Sequence, residues 1–356
     1  MTQNPLNFTG PESSSVEFQN KHLQGVSRTF ALAIPQLPER LSFVVANAYL
    51  LCRIVDTIED EVSLNYAQKK VFNEQFILAL TSGQNAQLFA NELGQLLSDK
   101  TTLAEHHLIQ ESEKVLAITQ SFSASEKAAL LECVRTMTGG MSFFQSLNLK
   151  QGLTSTKDLD QYCYFVAGCV GEMLAKLFTS TTFNPNQLLD SEIELLDLAK
   201  SFGQGLQMTN ILKDIWDDAE REVCWLPQEI FNQFHFNLSQ LQQAHLSAAD
   251  ELNFQKGLHE LIQMASIHLQ KALLFIQKLS AQNEDDKKIR HFCCWILMMA
   301  LFNLHKIKTH IDFKKSSEVK ISRRVVKITF ILSKILSRWN FTLKLMNQLT
   351  GIFFKI

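Results

Sequence analysis

The chain has 356 residues, of which 46% are hydrophobic, and it contains only six prolines and thirteen glycines. This length suits one large domain or two ordinary ones, and the scarcity of helix-breaking residues favours long helices over a strand-and-turn architecture. The formal net charge is −2, yet no acidic residue follows Glu318, so a near-neutral body carries a basic tail.

The chain begins with a polar stretch, MTQNPLNFTGPESSS, which lacks the apolar core of a signal peptide. We expect residues 1–20 to form a flexible lead-in and the chain not to be exported. The helical pattern starts at Val26 and is interrupted by Pro35 and Pro38. Residues 39 to about 61 are then predicted to form one long apolar helix.

Three carboxylates close this helix, in the sequence DTIED: Asp56, Glu59 and Asp60. Side chains three or four residues apart lie on one face of a helix, so these acids repel one another unless a cation lies between them. Their position at the C-terminus is also unfavourable against the helix dipole. The sequence therefore predicts a bound cation at this helix end.

Eight further segments are predicted to be helices: 66–82, 86–98, 103–120, 125–149, 158–178, 190–222, 240–281 and 286–310. Gly139 and Gly140 lie inside the fourth of them, where each glycine costs about 1 kcal/mol relative to alanine. We expect these glycines either to permit close approach by a backbone or ligand or to kink the helix. No strand-like alternation persists, so we predict an all-α chain with a single domain.

A second acidic motif repeats the spacing of the first, with Asp214 and Asp218 four residues apart and Asp217 between them. Oxygen ligands without histidine or cysteine suit Mg²⁺, which typically bridges one or two carboxylates to substrate phosphates. We predict two facing aspartate-rich helices that hold Mg²⁺ against a diphosphate. Nearby basic residues would complete the anion site: Arg28, Arg53, Lys213 and Arg221.

The basic tail is predicted to contain an amphipathic helix. Four cations fall within about a quarter of its circumference: Arg324, Lys327, Lys334 and Arg338. Apolar residues cover much of the rest: Val326, Ile328, Ile331, Leu332, Ile335, Leu336 and Trp339. Charges recur too often for a membrane span, so we expect the helix to lie on an anionic inner leaflet. The alternative is a last helix packed on the body.

The seven cysteines are scattered through apolar segments, without the CxxC or histidine spacing of a zinc site. We expect them to be reduced and buried, as is usual in a cytosolic protein.

Five blocks of the sequence resemble the squalene/phytoene synthase family, the head-to-head prenyl diphosphate synthases. The blocks are VSRTFALAIPQLP (26–38), AYLLCRIVDTIEDE (48–61), YCYFVAGCVG (162–171), QMTNILKDIWDDAEREVCWLP (207–227) and HFCCWILMMALFNL (291–304). The resemblance runs from about residue 26 to residue 324. Within the family, the DTIED motif and the FCCWILMMALFNL helix are more similar to squalene synthases than to phytoene synthases.

The resemblance implies an isoprenoid-synthase helical bundle around a central apolar cavity in residues 21–318, followed by the basic amphipathic tail in residues 319–356. It also implies a prenyltransferase that joins two farnesyl diphosphates to presqualene diphosphate with Mg²⁺ and reduces this intermediate to squalene with NADPH. Presqualene diphosphate, dehydrosqualene or phytoene as the end product, or a non-catalytic scaffold relative, are the alternatives. We expect a cytoplasmic enzyme peripheral to the inner face of the membrane, with no nucleic-acid partner and no obligate protein partner.

The resemblance also assigns roles to charged residues by position. Two carboxylate sets would bind Mg²⁺ at opposite walls of the cavity: Asp56, Glu59 and Asp60 at one, and Asp214, Asp217 and Asp218 at the other. Arg28, Arg53 and Lys213 match positions that contact diphosphate or the nicotinamide cofactor, and Arg221 is expected to bind substrate. Asp217 replaces a more common glutamate.

Aromatic residues are assigned in the same way. Tyr49 and Tyr162 match tyrosines near the reacting carbons, and Tyr162 is the candidate for proton removal after the first coupling. Phe30 and Phe292 match ring positions of the cavity wall, and Phe143 and Phe165 are further candidates for its lining.

Two further features depart from the family pattern. The cofactor-associated basic segment is only approximate, VKISRR (319–324), and it assigns Lys320 and Arg323 to NADPH. Because no GxGxxG fingerprint is present, the cofactor would have to bind in the helical cavity itself. The tail also does not reproduce the C-terminal membrane span of the family's eukaryotic members.

Overall fold

The structure is a computed structural model and describes residues 12–27, 29–182, 189–242 and 246–338. Two compact units divide the chain, Met1–Val134 and Arg135–Ile356. The described residues form helices joined by short turns and contain no β-strand; one isolated bridge pairs Leu153 with Pro227. The prediction of an all-α chain is therefore confirmed.

The first unit is built around one long apolar helix. Its helices are α1 (Ser13–Val26), α2 (Phe30–Ala33), α3 (Glu39–Asp60), α4 (Tyr66–Ser82), α5 (Ala86–Gly94), α6 (Leu103–Gln110), α7 (Ser112–Gln120) and the start of α8 (Ala124–Gln145). Helix α3 packs against α1, α6 and α7. It is long and apolar enough to cross a membrane, but 78% of its most apolar 18-residue stretch is buried, as expected of a core helix.

A polar contact inside this unit fixes the position of α3 against its neighbours. Asn47 is fully buried, and its amide nitrogen donates to Thr119 Oγ1 at 2.7 Å and to the Val115 carbonyl at 3.1 Å. Gln19 donates to Asn47 Oδ1 at 3.2 Å. Because a buried amide is costly unless it is hydrogen-bonded, this arrangement favours one register among α1, α3 and α7.

The segment predicted as one helix over residues 103–120 is interrupted at Glu111, between α6 and α7. The backbone of Glu111 leaves the helical region, with φ −101° and ψ 15°. Its carboxylate lies 2.9 Å from His22 Nε2 and 2.7 Å from Lys114 Nζ. These tertiary contacts stabilise a break that the apolar period does not predict.

The second unit is built around α11 (Leu189–Glu220), which packs against α10 (Cys169–Thr182), α13 (Ala248–Lys278) and α14 (Glu284–Thr309). Its other elements are α9 (Thr156–Cys163), a π-helical turn (Tyr164–Gly168), α12 (Gln228–Gln233), α15 (Ser316–Val319) and α16 (Arg323–Leu336). Helix α13 starts eight residues later than predicted, because Ser247 caps it by accepting from the Asp250 amide at 3.1 Å.

Glycines allow α11 to lie backbone-to-backbone with the preceding helical segment. A Cβ atom on Gly203 would lie 2.0 Å from the Ala167 carbonyl oxygen, and one on Gly171 would lie 2.1 Å from the Ala199 carbonyl oxygen. No side chain fits at either position without moving a backbone. This close packing sets the position of the π-helical turn, and hence of Tyr162 just before it, relative to the second acidic motif on α11.

Helix α16 packs on α14 through small hydroxyl side chains. Thr329 and Ser333 are fully buried, and Trp295 Nε1 donates to Thr329 Oγ1 at 3.1 Å. The ring of Phe330 lies edge-on to Trp295, with centroids 4.9 Å apart. The expected amphipathic helix is present over residues 323–336, and it is packed on the body; residues 339–356 of the predicted tail lie outside the described ranges.

Candidate functional site

In the first unit, the DTIED carboxylates occupy the last turn of α3. Asp56 and Glu59 are half-buried, whereas Asp60 is exposed. The pKa of Asp56 is raised to about 7, because burial, together with the charges of Asp60 and Glu105, outweighs the lowering effect of Arg53. Burial likewise raises the pKa of Glu59 to about 8, against a lowering effect of Lys69. The fold therefore crowds negative charge here, which a proton or a cation would relieve.

Arg53 lies one turn before Asp56 and connects it to the aromatic residues. Its Nη2 is 3.5 Å from the Tyr49 hydroxyl and 3.4 Å from the Val26 carbonyl oxygen. Its buried Nε has no hydrogen-bond partner among the described residues. The Phe30 ring is 5.2 Å from that of Tyr49. The structure thus brings Tyr49, Arg53, Asp56 and Phe30 together; Arg28 lies outside the described residues.

Two charged residues of this region escaped the sequence analysis. Glu105 Oε1 lies 3.5 Å from Arg53 Nη1, and Lys69 donates to the Glu59 carbonyl oxygen. A signal for Glu105 was present, since Thr102 and Glu105 form a capping box at the start of α6. That pattern predicts a helix start but not a contact with Arg53, because the contact depends on how α6 packs against α3.

In the second unit, the three aspartates of the second motif have three different partners. Lys213 Nζ lies 3.1 Å from Asp214 Oδ2, and it also donates to Asn210 Oδ1 at 3.1 Å. Asp218 is 6% exposed and accepts a hydrogen bond from Arg221. Asp217 is exposed, and its Oδ2 accepts from Ser316 Oγ at 2.6 Å. Neither Asn210 nor Ser316 was predicted.

Asp218 resembles Asp56 in its electrostatic environment. Burial raises the pKa of Asp218 to about 6; Arg221 lowers it, and Asp214 and Asp217 raise it. Both motifs therefore contain a shielded aspartate whose neighbours are carboxylates. In such a setting a divalent cation stabilises the charged form more than a single arginine does.

Tyr162 is almost buried and is held by two rings. Its ring stacks on that of Trp225, with centroids 3.7 Å apart and planes at 9°, and the edge of Phe144 packs on it at 5.3 Å. The π-helical turn that follows Tyr162 is a rare element often found at functional sites. Trp225 was not predicted, although its place shortly after the second acidic motif could have drawn attention to it.

A small cleft joins Trp225 to the second acidic motif. It is lined by one carboxylate and otherwise by apolar, sulfur-containing or aromatic side chains: Ile211, Ile215, Asp218, Val223, Cys224, Trp225, Leu226 and Leu241. Asp218 and the Tyr162–Trp225 stack therefore belong to one neighbourhood in the second unit.

The remaining predicted residues lie elsewhere in the second unit. Phe292 is 1% exposed and packs edge-on against Phe178 at 6.3 Å, inside the core. Phe143 is exposed, whereas Phe165 packs 6.3 Å from Phe144. Lys320 is exposed directly after α15, and Arg323 is exposed at the first position of α16.

The donor set at both motifs suits Mg²⁺, since every candidate ligand is a carboxylate. Among the described residues, no group of three or more His, Cys, Asp and Glu side chains is arranged as a ready metal centre. This is compatible with Mg²⁺, which keeps several waters and binds through one or two carboxylates together with substrate phosphates. For NADPH, the exposed Lys320 and Arg323 are suitable phosphate partners only by charge.

A helical chain with two aspartate motifs and a tyrosine held between rings belongs to a known class of isoprenoid enzymes. The sequence profile of the squalene/phytoene synthase family matches residues 23–325, close to the span predicted from the five blocks. The chain therefore belongs to the squalene/phytoene synthase family.

Curated relatives agree with this assignment. The chain is 29% identical to a squalene synthase of Mycosarcoma maydis over 357 residues, covering 94% of this chain and 59% of the relative. It is 27% identical to squalene synthase LSS of Botryococcus braunii (83% and 58% covered) and 26% identical to squalene synthase of Rattus norvegicus (82% and 64% covered). The chain thus spans about three-fifths of the length of these relatives.

Solved structures share the fold. The structure of TcSQS with the ligand BPH1237 superimposes with a TM-score of 0.76 at 22% identity, covering 96% of this chain and 91% of that chain. A dehydrosqualene synthase in complex with ligand superimposes with a TM-score of 0.60 at 19% identity, covering 90% and 96%.

Proposed function

We propose that this protein is a squalene synthase: a Mg²⁺-dependent prenyltransferase that joins two farnesyl diphosphates to presqualene diphosphate and reduces this intermediate to squalene with NADPH. The observation that carries the proposal is the placement of the two DxxxD motifs, each in the last turns of a long helix and each with one aspartate shielded from water beside further carboxylates. Family membership and the curated relatives support the same reaction.

In this proposal the acidic motifs hold metal and do not attack the substrate. Asp56, Glu59 and Asp60 would hold Mg²⁺ in the first unit, and Asp214, Asp217 and Asp218 would do so in the second. Bound Mg²⁺ would neutralise the charge that develops on the departing diphosphate.

Cationic side chains of the chain would assist departure of the diphosphate. Arg53 is the main candidate in the first unit, because the guanidinium keeps its charge and its Nε lacks a hydrogen-bond partner among the described residues. Lys213 and Arg221 are in place beside Asp214 and Asp218, and Arg28 is proposed with them on the family pattern alone.

Aromatic side chains would protect the allylic carbocation from water. Tyr49 and Phe30 are proposed for this role in the first unit, and the Tyr162–Trp225 stack in the second. A ring face near a cation contributes about 0.5–2 kcal/mol of stabilisation. We assign proton removal after the first coupling to the Tyr162 hydroxyl, whose ring the Trp225 and Phe144 contacts orient.

The second half-reaction would expel the diphosphate of presqualene diphosphate and requires a reductant, and NADPH would supply a hydride to the carbocation that remains. Lys320 and Arg323 are proposed as contacts to its phosphates, because both are exposed cations only three residues apart.

Product analysis tests the proposal. The purified chain would be incubated with farnesyl diphosphate and Mg²⁺, with and without NADPH, and the products identified by mass. Squalene formed only with NADPH supports the proposal. Presqualene diphosphate in both reactions would assign the chain to the first half-reaction, and dehydrosqualene would assign it to the branch without reduction.

Single substitutions then separate catalysis from folding. Asp56→Asn and Asp214→Asn should lose nearly all turnover while the helical circular dichroism is retained, because each removes a charge that binds metal. Glu192→Gln, an exposed carboxylate on the same α11 helix, is a control that should keep parental turnover. Near-normal turnover in both aspartate variants would refute the metal assignment.

We further propose that the chain is peripheral to the cytoplasmic face of a membrane, bound through α16. The helix buries Thr329 and Ser333 against the body and leaves apolar side chains exposed: Ile328 52%, Ile331 59%, Leu332 39% and Ile335 50%. At 100° per residue this stripe adjoins an arc of cations that contains Arg323, Arg324, Lys327, Lys334 and Arg338. An apolar stripe beside a basic arc is typical of interfacial helices.

Vesicle flotation tests this contact. Ile331→Gln/Ile335→Gln should reduce flotation with phosphatidylserine-containing vesicles, and Lys327→Gln/Lys334→Gln should reduce it through lost electrostatic attraction, which is worth about 1 kcal/mol per basic residue. Ile267→Gln replaces an apolar residue of similar exposure, 53%, on α13 and is the matched control. Unchanged flotation of both double variants would exclude α16 as the membrane contact.

A further inference from the structure

A short connection between α14 and α16 fastens to the part of α11 that carries the second acidic motif. We call residues 313–316 the strap. Trp216 Nε1 donates to the Phe313 carbonyl oxygen at 2.7 Å. Lys314 Nζ lies 5.0 Å from the centroid of the Trp216 ring and 2.9 Å from Glu251 Oε1 on α13. The strap is therefore held to two helices by contacts that involve both its backbone and its side chains.

The last residue of the strap contacts the acidic motif itself. Ser316 Oγ donates to Asp217 Oδ2 at 2.6 Å, and Ser316 is only 4% exposed although Asp217 is exposed. The Ser316 backbone is fixed in turn, because it begins α15 and its carbonyl oxygen accepts from the Lys320 amide at 3.1 Å. A rigid donor thus engages one oxygen of an otherwise solvent-facing carboxylate.

Asp217 depends more on a hydrogen bond from outside α11 than Asp214 and Asp218 do. Asp214 and Asp218 are four residues apart and lie within about 40° of each other around the helix, whereas Asp217 is about 60° from Asp214 and 100° from Asp218. Asp214 and Asp218 have cationic partners on α11 or directly after it. The hydroxyl of Ser316 comes from a distant part of the chain and restricts the rotation of Asp217.

We propose that Ser316 is a positioning residue for Asp217, and that the strap thereby sets the geometry of the cation site in the second acidic motif. This inference rests on the proposed function, because it assumes that the motif binds a divalent cation. Groups that hydrogen-bond to ligating carboxylates orient them, and their loss typically costs 10–100-fold in metal affinity. The strap is followed by α15 and then by α16, so the same connection joins the acidic motif to the proposed membrane-contacting helix.

The test compares two near-isosteric side chains at position 316 in the full chain. Mn²⁺ would replace Mg²⁺ as the probe, with inorganic pyrophosphate present, and free Mn²⁺ would be measured by electron paramagnetic resonance. Ser316→Val lacks the hydroxyl and should weaken Mn²⁺ binding about tenfold, whereas Ser316→Thr keeps the hydroxyl and should bind nearly as the parent does. Ser266→Ala is the control, because Ser266 is also buried but donates only to the Gln263 carbonyl oxygen in its own helix.

The outcomes separate this inference from the proposed function. If Asp214→Asn and Asp218→Asn also leave Mn²⁺ binding unchanged, the cation site itself is refuted, and the role of Ser316 falls with it. If these two variants lose binding but Ser316→Val does not, only the positioning role is refuted. Equal losses in Ser316→Val and Ser316→Thr, with parental circular dichroism, would also refute it. Should Ser316→Val not fold, Ser316→Ala removes the same hydroxyl without adding volume.

Discussion

The adjacent glycines of α8 should respond in opposite ways to alanine. Both lie inside the helix, where replacing glycine by alanine stabilises by about 1 kcal/mol through helix propensity. A Cβ atom on Gly139 meets no atom within 4 Å among the described residues, whereas one on Gly140 would lie 1.9 Å from Cγ of Phe165. We therefore expect Gly139→Ala to raise the free energy of unfolding by about 1 kcal/mol.

Gly140→Ala should lower the free energy of unfolding instead. Overpacking of this kind costs about 1–3 kcal/mol, so after the gain of about 1 kcal/mol in helix propensity the net loss is up to about 2 kcal/mol. Phe165 cannot move away freely, because its ring packs 6.3 Å from Phe144 and 5.4 Å from Tyr164. Since Phe144 also contacts Tyr162, we expect turnover to fall as well.

Urea unfolding followed by circular dichroism measures both changes. A double-mutant cycle with Phe165→Ala identifies the cause, because the cost of Gly140→Ala should shrink once Cγ and Cδ1 of the Phe165 side chain are gone. If Gly140→Ala proves as stable as Gly139→Ala, the close contact between Gly140 of α8 and Phe165 of the π-helical turn is refuted.

Three further predictions concern charge and stacking. The pKa of Glu61 is lowered to about 2, because hydrogen bonds from Ser63, Ser98 and Thr101 outweigh the raising effect of burial. Its contribution to stability should be present above pH 4.5 and be lost as the pH falls toward 2, so the difference in urea midpoint between the parent and Glu61→Gln should shrink on acidification; a pH-independent difference would contradict this. The pKa of Asp56 is raised to about 7, so its ionised form destabilises the metal-free chain. Asp56→Asn should therefore raise the melting temperature at pH 8 without divalent cations, and this gain should diminish as the pH falls through 7. No gain at pH 8 would show that the ionised Asp56 carboxylate does not destabilise the chain. Finally, Trp225→Leu should reduce kcat more than it raises KM, because it removes the stack that orients Tyr162, whereas Trp225→Phe should retain part of the activity; equal kcat values in both variants and the parent would exclude this orienting role.

Much of the fold could be predicted because the apolar period is regular. Helix α4 has the predicted bounds, and the two acidic motifs lie at the ends of α3 and α11 as expected. The interruption at Glu111 and the later start of α13 at residue 248 were not predicted. The first depends on a contact with His22, 89 residues away, and the second on the serine cap that competes with a continuous apolar pattern.

The positions of the acidic residues could be predicted from the sequence, but their contacts could not. The i,i+4 spacing of each acidic pair predicts that its carboxylates share one helix face, and cation binding there stays a prediction. Trp225, Glu105 and Ser316 were missed, since each contacts the site from another segment of the chain.

Helix α16 shows most clearly which properties the sequence determines and which the tertiary structure decides. The sequence determined that the helix is amphipathic and basic, because these properties depend only on residue order and a 100° rotation per residue. It did not determine which face meets the body. That was decided by α14, where Trp295 offers a donor to Thr329, so the small hydroxyl side chains are buried and the isoleucines are left exposed.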